Sequence, residues 1–251
     1  MLTKTQLKAI ASRQGINPYY QEKDYLQNIF LFNLFKVSRE FVFKGGTCLK
    51  IAYNYMRFSE DLDFNSELEP RQIQKTVAVV LKSFELLGIK HEFIEEKLFE
   101  NAYTSRIRFY SSFYTGSAES TNSIQLDIGK RDEVVLKPRW IQVNSPYADI
   151  PKFFVLAMDE EEILAEKIRA LVMRGKPRDL FDLWAMTSAG VEVREELIDK
   201  KLSSKKIEIK LPEEKLYERD LRNMLSVVPP YQQVIEDLNR KMPQKFESGK
   251  A

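Results

Sequence analysis

The sequence predicts an α+β fold, with a mixed α/β first part over residues 1–150 and an all-helical second part over 151–251. Three patterns carry this expectation. Apolar residues recur at helical spacing between short strand-like runs up to about residue 88. The period changes to two between about 89 and 143. Helical spacing then returns after about 150 and is not broken by strands.

Taken in order, residues 19–37 put Tyr25, Ile29, Phe32 and Phe35 on one face of an amphipathic helix. Phe41-Val42-Phe43 reads as a short strand running into Lys44-Gly45-Gly46. Thr47 to Met56 is helical, with Leu49, Ala52 and Tyr53 together, and Leu62-Asp63-Phe64 alternates as a strand does. Pro70 opens a helix over 70–87 whose apolar face is Ile73, Val77, Val80, Leu81 and Phe84. Tyr103 to Phe113 is a strand with Ile107 and Phe109 on one side and Arg106 and Arg108 on the other, the latter a solvated face. A polar hairpin loop leads to a second strand, Ser123 to Ile128, and Val134 to Val143 is a third, interrupted at Pro138. After a break between Asn144 and Pro151, Asp159-Glu160-Glu161-Glu162 supply the acidic first turn of a helix that ends at Gly175. Further helices start near Pro177 and cover 192–201, 212–226 and 230–241.

Composition narrows the function. Thirty-nine basic against 37 acidic residues leave a net charge of +2, so nucleic-acid affinity from bulk charge is excluded and any anion site must be a local cluster. A single cysteine, Cys48, rules out a disulfide framework and a Cys-based zinc site, and is expected buried and inert. A single histidine, His91, removes His–His metal sites. The opening MLTKTQLKAIASRQG lacks the apolar run of a signal peptide, and Ile29–Phe35 is too short to span a bilayer. A soluble, cytoplasmic protein with no membrane partner is expected. The 16 Phe and 11 Tyr read as core, and Lys200-Lys201 and Lys205-Lys206 as a solvated helix end.

Two segments carry chemistry. Lys44-Gly45-Gly46-Thr47 follows a strand, and Ser59-Glu60-Asp61-Leu62-Asp63 comes one helix later. A glycine pair at a strand-to-helix turn lets backbone N–H groups approach a phosphate. Asp61 and Asp63, two apart on a strand, share a face. Their mutual repulsion is relieved by a divalent metal, and an oxygen-only donor set suits Mg²⁺ with a nucleoside triphosphate. Alone, Gly-Gly is a turn and Asp-x-Asp a solvated strand edge; in this order together they indicate phosphate and metal chemistry. In the second segment Lys167 lies between Leu164 and Leu171 on the apolar stripe of its helix, where an ammonium needs an anion. That anion is either a ligand or a neighbouring carboxylate.

The run from Phe41 to Phe64 resembles the opening motif of the polymerase-beta-like nucleotidyltransferases. More narrowly it resembles the AbiEii/AbiGii toxin family, whose pattern is an apolar strand, Gly-Gly-Thr-x-Leu, then Arg-x-Ser-x-Asp-x-Asp. Lys44 to Leu49 and Arg57 to Asp63 match it position by position. Leu164 to Leu171, with Arg174-Gly175-Lys176-Pro177-Arg178-Asp179 and Asp182-Leu183-Trp184, resembles the family's second characteristic segment.

The resemblance implies a mixed β-sheet flanked by helices, then a C-terminal helical bundle contributing to the active-site cleft. It implies nucleotide binding by Lys44, Gly45, Gly46, Thr47 and Ser59, and Mg²⁺ or Mn²⁺ on Asp61 and Asp63. Lys167 would be catalytic at the triphosphate, with Arg178 and Asp179 lining the site; Asp182 fits either the site or a helix-packing ion pair. A third carboxylate, Asp127 or else Asp132, would join the metal set and activate the attacking hydroxyl. The implied reaction is transfer of a nucleoside monophosphate from an NTP to an acceptor hydroxyl, by the toxin of a type IV-like toxin–antitoxin or abortive-infection pair. The implied partners are tRNA as acceptor and a cognate antitoxin. The alternatives are a small-molecule or protein acceptor, and a non-catalytic nucleotide- or RNA-binding module.

Overall fold

The computed structural model describes residues 1–130, 133–202 and 209–242. Asp132, Lys205 and Lys206 lie outside the described residues. The chain divides into two compact units, Met1–Met158 and Asp159–Ala251.

The first unit is built on a seven-stranded mixed sheet. Its strands are β1 (Val42–Lys44), β2 (Asp61–Asn65), β3 (Lys90–Leu98), β4 (Ala102–Tyr110), β5 (Asn122–Gly129), β6 (Arg139–Val143) and β7 (Phe153–Ala157). Their order is β3-β4-β5-β2-β1-β7-β6, with β2–β5 and β1–β7 parallel and the other neighbours antiparallel. The helices are α1 (Lys4–Gln14), α2 (Pro18–Val37), α3 (Gly45–Ile51) and α4 (Pro70–Leu86).

Local chemistry explains most of the boundaries. Thr3 and Gln6 cap α1 reciprocally, and Gly15 closes it with a left-handed φ of 67°. Asn17 accepts from the Tyr19 N–H at 2.8 Å and Pro18 is the first residue of α2. In α4 all five expected apolar residues are buried, and Phe84 meets Phe109 of β4 with ring centroids 4.7 Å apart. That contact fixes which side of β4 is core: Ile107 and Phe109 are fully buried, while Arg106 is exposed.

The structure changes four expectations. Helix α1 was not anticipated. The two glycines of Lys44-Gly45-Gly46 form the first turn of α3 rather than a linker before it, and that helix ends at Ile51. Strand β3, at the start of the period-two stretch where no separate strand was named, is an exposed edge carrying Glu and Lys. Strand β7 lies past residue 150 yet pairs with β1 and β6, so the chain after 150 is not all-helical.

The second unit contains α5 (Glu160–Arg174), α6 (Pro177–Ser188), α7 (Glu195–Leu202), α8 (Glu214–Leu221) and α9 (Tyr231–Lys241). Asp159 caps α5 by accepting from the Glu161 N–H at 3.0 Å, and Gly175 ends it with a left-handed φ of 57°. Helix α5 packs on α6 and α7, and α6 on α8 and α9. Lys201 is not solvated as expected: it is buried on α7 and paired with the fully buried Glu162 at 2.7 Å. Among the described residues no helix is long and apolar enough to cross a membrane.

Candidate active site

Strand register gathers the acidic residues of the first unit. Asp63 pairs with Asp127 across the parallel β2–β5 ladder, so the two lie side by side on one face, their Cα atoms about 4.8 Å apart. Lys44 pairs with Asp63 on the other flank, and Thr104 with Asp127. One row therefore runs Lys44–Asp63–Asp127–Thr104. The adjacent row, Asp61–Gln125–Arg106, brings Asp61 onto the same face. The opposite face is apolar: Phe43, Leu62, Phe64, Ile124, Leu126 and Ile128 are all buried. Half-exposed carboxylates on a rigid, buried-backed sheet have little freedom to separate.

The Gly45-Gly46 turn is fitted closely to these residues. Gly45 has a φ of 77°, and a Cβ there would collide with Oδ2 of Asp63; a Cβ on Gly46 would collide with Nη2 of Arg57 and meet Oγ of Ser59 at 2.9 Å. Thr47 is fully buried and its hydroxyl donates to the Asp61 carbonyl, tying α3 to β2. The Gly45→Ala variant is expected to displace the Asp63 carboxylate as well as strain the backbone. Transfer activity should fall about 10- to 100-fold. Gly88→Ala, at a similar φ of 75° with nothing within 4 Å, should cost stability without that loss of activity. Thermal melts beside initial rates make the comparison.

Helix α2 supports the site from the other side of the Asp-x-Asp segment. Gln27 donates to the carbonyls of Ser59 at 3.1 Å and Glu60 at 2.9 Å, and Lys23 binds the Glu60 carboxylate at 2.7 Å. Around them Gln21, Glu22, Asp24 and Asn28 are also buried. Glu22 accepts from Ser111 and the Phe113 N–H, while Asp24 accepts from Lys50 and from Tyr147. The sequence predicts an amphipathic helix here; about two turns of it, Gln21 to Asn28, carry a buried polar network that holds the strand entry in place. Sequence reading missed Lys23, Gln27 and Arg57 as site-building residues. Only Arg57, in the Arg-x-Ser-x-Asp-x-Asp run, left a signal.

The donor set fits a hard divalent cation, being all carboxylate on one face. Among the described residues no three acidic, His or Cys side chains are already drawn together as a metal cage. Asp61, Asp63 and Asp127 are the residues that would hold such an ion.

In the second unit Lys167 is buried between two carboxylates, Asp182 at 2.7 Å and Asp179 at 3.3 Å. Arg174 clasps Asp179 through Nε at 2.8 Å and Nη2 at 3.0 Å. Burial pushes the Asp179 carboxyl up. The Lys167 charge and the Arg174 hydrogen bond and charge outweigh that push, against Asp182, and hold it below the usual aspartate range. Of the two anions that suited Lys167, the structure supplies the neighbouring carboxylate. Arg178 lies in the first turn of α6, next to the fully buried Asp179.

The profile of the family described as "Nucleotidyl transferase AbiEii toxin, Type IV TA system" matches residues 29–247. The chain belongs to the AbiEii toxin family. It is therefore a nucleotidyltransferase of the type IV toxin–antitoxin class. Among solved structures, this AbiEii protein is similar to MenT4, a nucleotidyltransferase toxin from Mycobacterium tuberculosis H37Rv. The TM-score is 0.68 at 17% identity, covering 96% of this chain and 88% of that one. JHP933 from Helicobacter pylori is similar with a TM-score of 0.51 at 21% identity, covering 69% and 68% of the respective chains. At these identities the likeness concerns the fold. No curated protein sequence matches this AbiEii chain.

Proposed function

We propose that this protein transfers a nucleoside monophosphate from an NTP to a hydroxyl of tRNA, with Mg²⁺ or Mn²⁺ at Asp61, Asp63 and Asp127. It would act as a cytoplasmic toxin opposed by a cognate antitoxin. The observation that carries this reading is the register that sets Asp63 beside Asp127, with Asp61 on the same face and Gly45 packed against Asp63. A bound divalent ion supplies charge neutralisation for the triphosphate and for the oxygens that develop charge in the displacement.

The protein's own residues do the rest. The Gly45-Gly46 turn offers a close backbone approach for phosphates, with Lys44 on the neighbouring strand as a cation and Ser59 beside Gly46. Thr47 acts by holding the Asp61 backbone. Asp127, in register with Asp63, would take the proton of the acceptor hydroxyl as that oxygen attacks the α-phosphorus and pyrophosphate leaves. Lys167 is proposed to assist by exchanging one of its two carboxylates for a phosphate oxygen, with Arg178 and Asp179 ordering it. Catalysis on this account is positioning and electrostatics, as in phosphoryl transfer generally.

Heat protection tests the nucleotide site directly. An NTP at about a hundredfold its dissociation constant, with Mg²⁺, should raise the melting temperature by roughly 5 °C. Omitting Mg²⁺, or replacing Asp63→Asn, should abolish the shift. Equal protection of the variant would place the nucleotide elsewhere.

A further inference from the structure

At the sheet edge opposite β3, the end of α2 and strands β6 and β7 frame a groove of about 450 Å³. Two edge-on ring pairs form its walls. Phe32 meets Phe153 with centroids 5.8 Å apart at 76°, and Phe35 meets Trp140 at 6.1 Å and 80°. Phe154 completes the aromatic lining. Trp140 is 47% exposed and Phe154 55%, so two large apolar surfaces stay open to water. Lys36 and Arg39, both exposed, are the only charged residues of the lining. Neither has a carboxylate partner among the described residues, and the Trp140 indole N–H has no acceptor there. Lys36 suits the last turn of α2, where the macrodipole favours a cation; Arg39 lies past the helix end and has no such reason.

Strand β6 is the last of the sheet, and among the described residues its outer edge pairs with nothing. The sequence treats the two edges differently. Strand β3 carries five charged residues in nine, Lys90, Glu92, Glu95, Glu96 and Lys97, which discourages a further strand. Strand β6, Arg139-Trp140-Ile141-Gln142-Val143, carries one in five. An unguarded strand edge therefore runs beside an open aromatic groove and two unpaired cations. Three strand spacings separate β6 from β2, about 14 Å, so the groove lies apart from the carboxylate row.

We propose that this groove docks an extended acidic segment of a partner protein. The segment adds to β6 as a strand, seats an aromatic or large aliphatic side chain between the ring pairs, and sets Asp or Glu against Lys36 and Arg39. Charge decides the partner's chemistry: a lining with two unpaired cations and no acid complements carboxylates and repels a basic segment. The free edge decides its conformation, since main-chain hydrogen bonds to β6 supply affinity and alternate side chains supply specificity. A nucleic-acid strand fits less well. Base stacking uses ring faces, whereas these rings stand edge-on to one another, and it leaves the β6 backbone unused.

The probe is a displayed library of short random peptides, selected on the full-length protein. The selected peptides should be enriched in Asp and Glu around a single Phe, Trp, Tyr or Leu. Synthesised with a label and read by fluorescence anisotropy, they should bind Trp140→Ala and Phe154→Ala about tenfold or more weakly, and Asp63→Asn as tightly as the unaltered protein. Methylating alternate backbone nitrogens of a peptide should abolish binding in one phase and spare it in the other, as strand addition requires. Selection on Lys36→Glu/Arg39→Glu should turn toward Lys- and Arg-rich peptides. All four altered side chains are exposed, and thermal melts check that each variant folds. No selected peptide, a selection without acidic bias, equal affinity for both alanine variants, or indifference to methylation in either phase would overturn the proposal. So would a short single-stranded RNA that binds through Trp140 in place of the peptides, or a dimer of the protein itself that Trp140→Ala dissolves.

Discussion

Asp63→Asn should lower nucleotidyl transfer by about 10³-fold or more while leaving the protein folded. Asp63 is the carboxylate with the most neighbours in the chemistry: Asp127 in register on one side, Lys44 on the other, and Gly45 packed against it. Asparagine preserves shape and hydrogen-bonding reach but removes the charge a divalent ion needs. Loss of several kcal/mol of transition-state stabilisation corresponds to three or more powers of ten. Relief of carboxylate repulsion opposes any loss of stability, so the melting temperature should stay close to that of the unaltered protein. A loss of tenfold or less in kcat, with the fold intact, would mean Asp63 is not a metal ligand in the reaction.

Lys167→Met should destabilise the second unit by about 3–5 kcal/mol, read by urea denaturation. The substitution leaves Asp179 and Asp182, both buried, without the ammonium they share. The double variant Lys167→Met/Asp182→Leu should recover much of the loss, because Asp179 keeps its two bonds to Arg174. The pH dependence has a definite sign. The Asp179 carboxyl is held low in the folded state, so its contribution is fully present above the unfolded value of about 3.9 and is lost as pH falls through the lowered value. Without Lys167 that acid loss should begin at higher pH. A change of stability below about 1 kcal/mol would contradict the network as described.

The parts of the site that sequence reading reached are those whose meaning is local. Gly45-Gly46 and Asp61-x-Asp63 sit within one strand–helix–strand stretch. Asp127 was reached because Ile124, Leu126 and Ile128 alternate with it, and the structure sets it beside Asp63. Helix α4 was legible because its apolar face repeats at helical spacing.

What stayed hidden depends on partners far along the chain. Gln27 meets the Ser59 and Glu60 carbonyls 32 and 33 residues later, and Tyr147 reaches Asp24 across 123. Periodicity assigns such polar residues to water, and only tertiary packing shows them buried. Strand β3 was masked by the charges that protect an edge, and β7 because Phe153–Ala157 is short and apolar throughout. Arg106 was read as a solvated face, which it is; the row it shares with Gln125 and Asp61 appears only once β4, β5 and β2 are aligned.

The central claim is nucleotidyl transfer to tRNA at the carboxylate row, and a transfer assay on the purified protein tests it most directly. Each α-labelled NTP is incubated in turn with Mg²⁺ and total bacterial tRNA, beside an Asp61→Ala/Asp63→Ala control. The account predicts label on tRNA from at least one NTP and none with the control. Label appearing on protein or a small molecule instead, or label on tRNA that persists in the control, would contradict it.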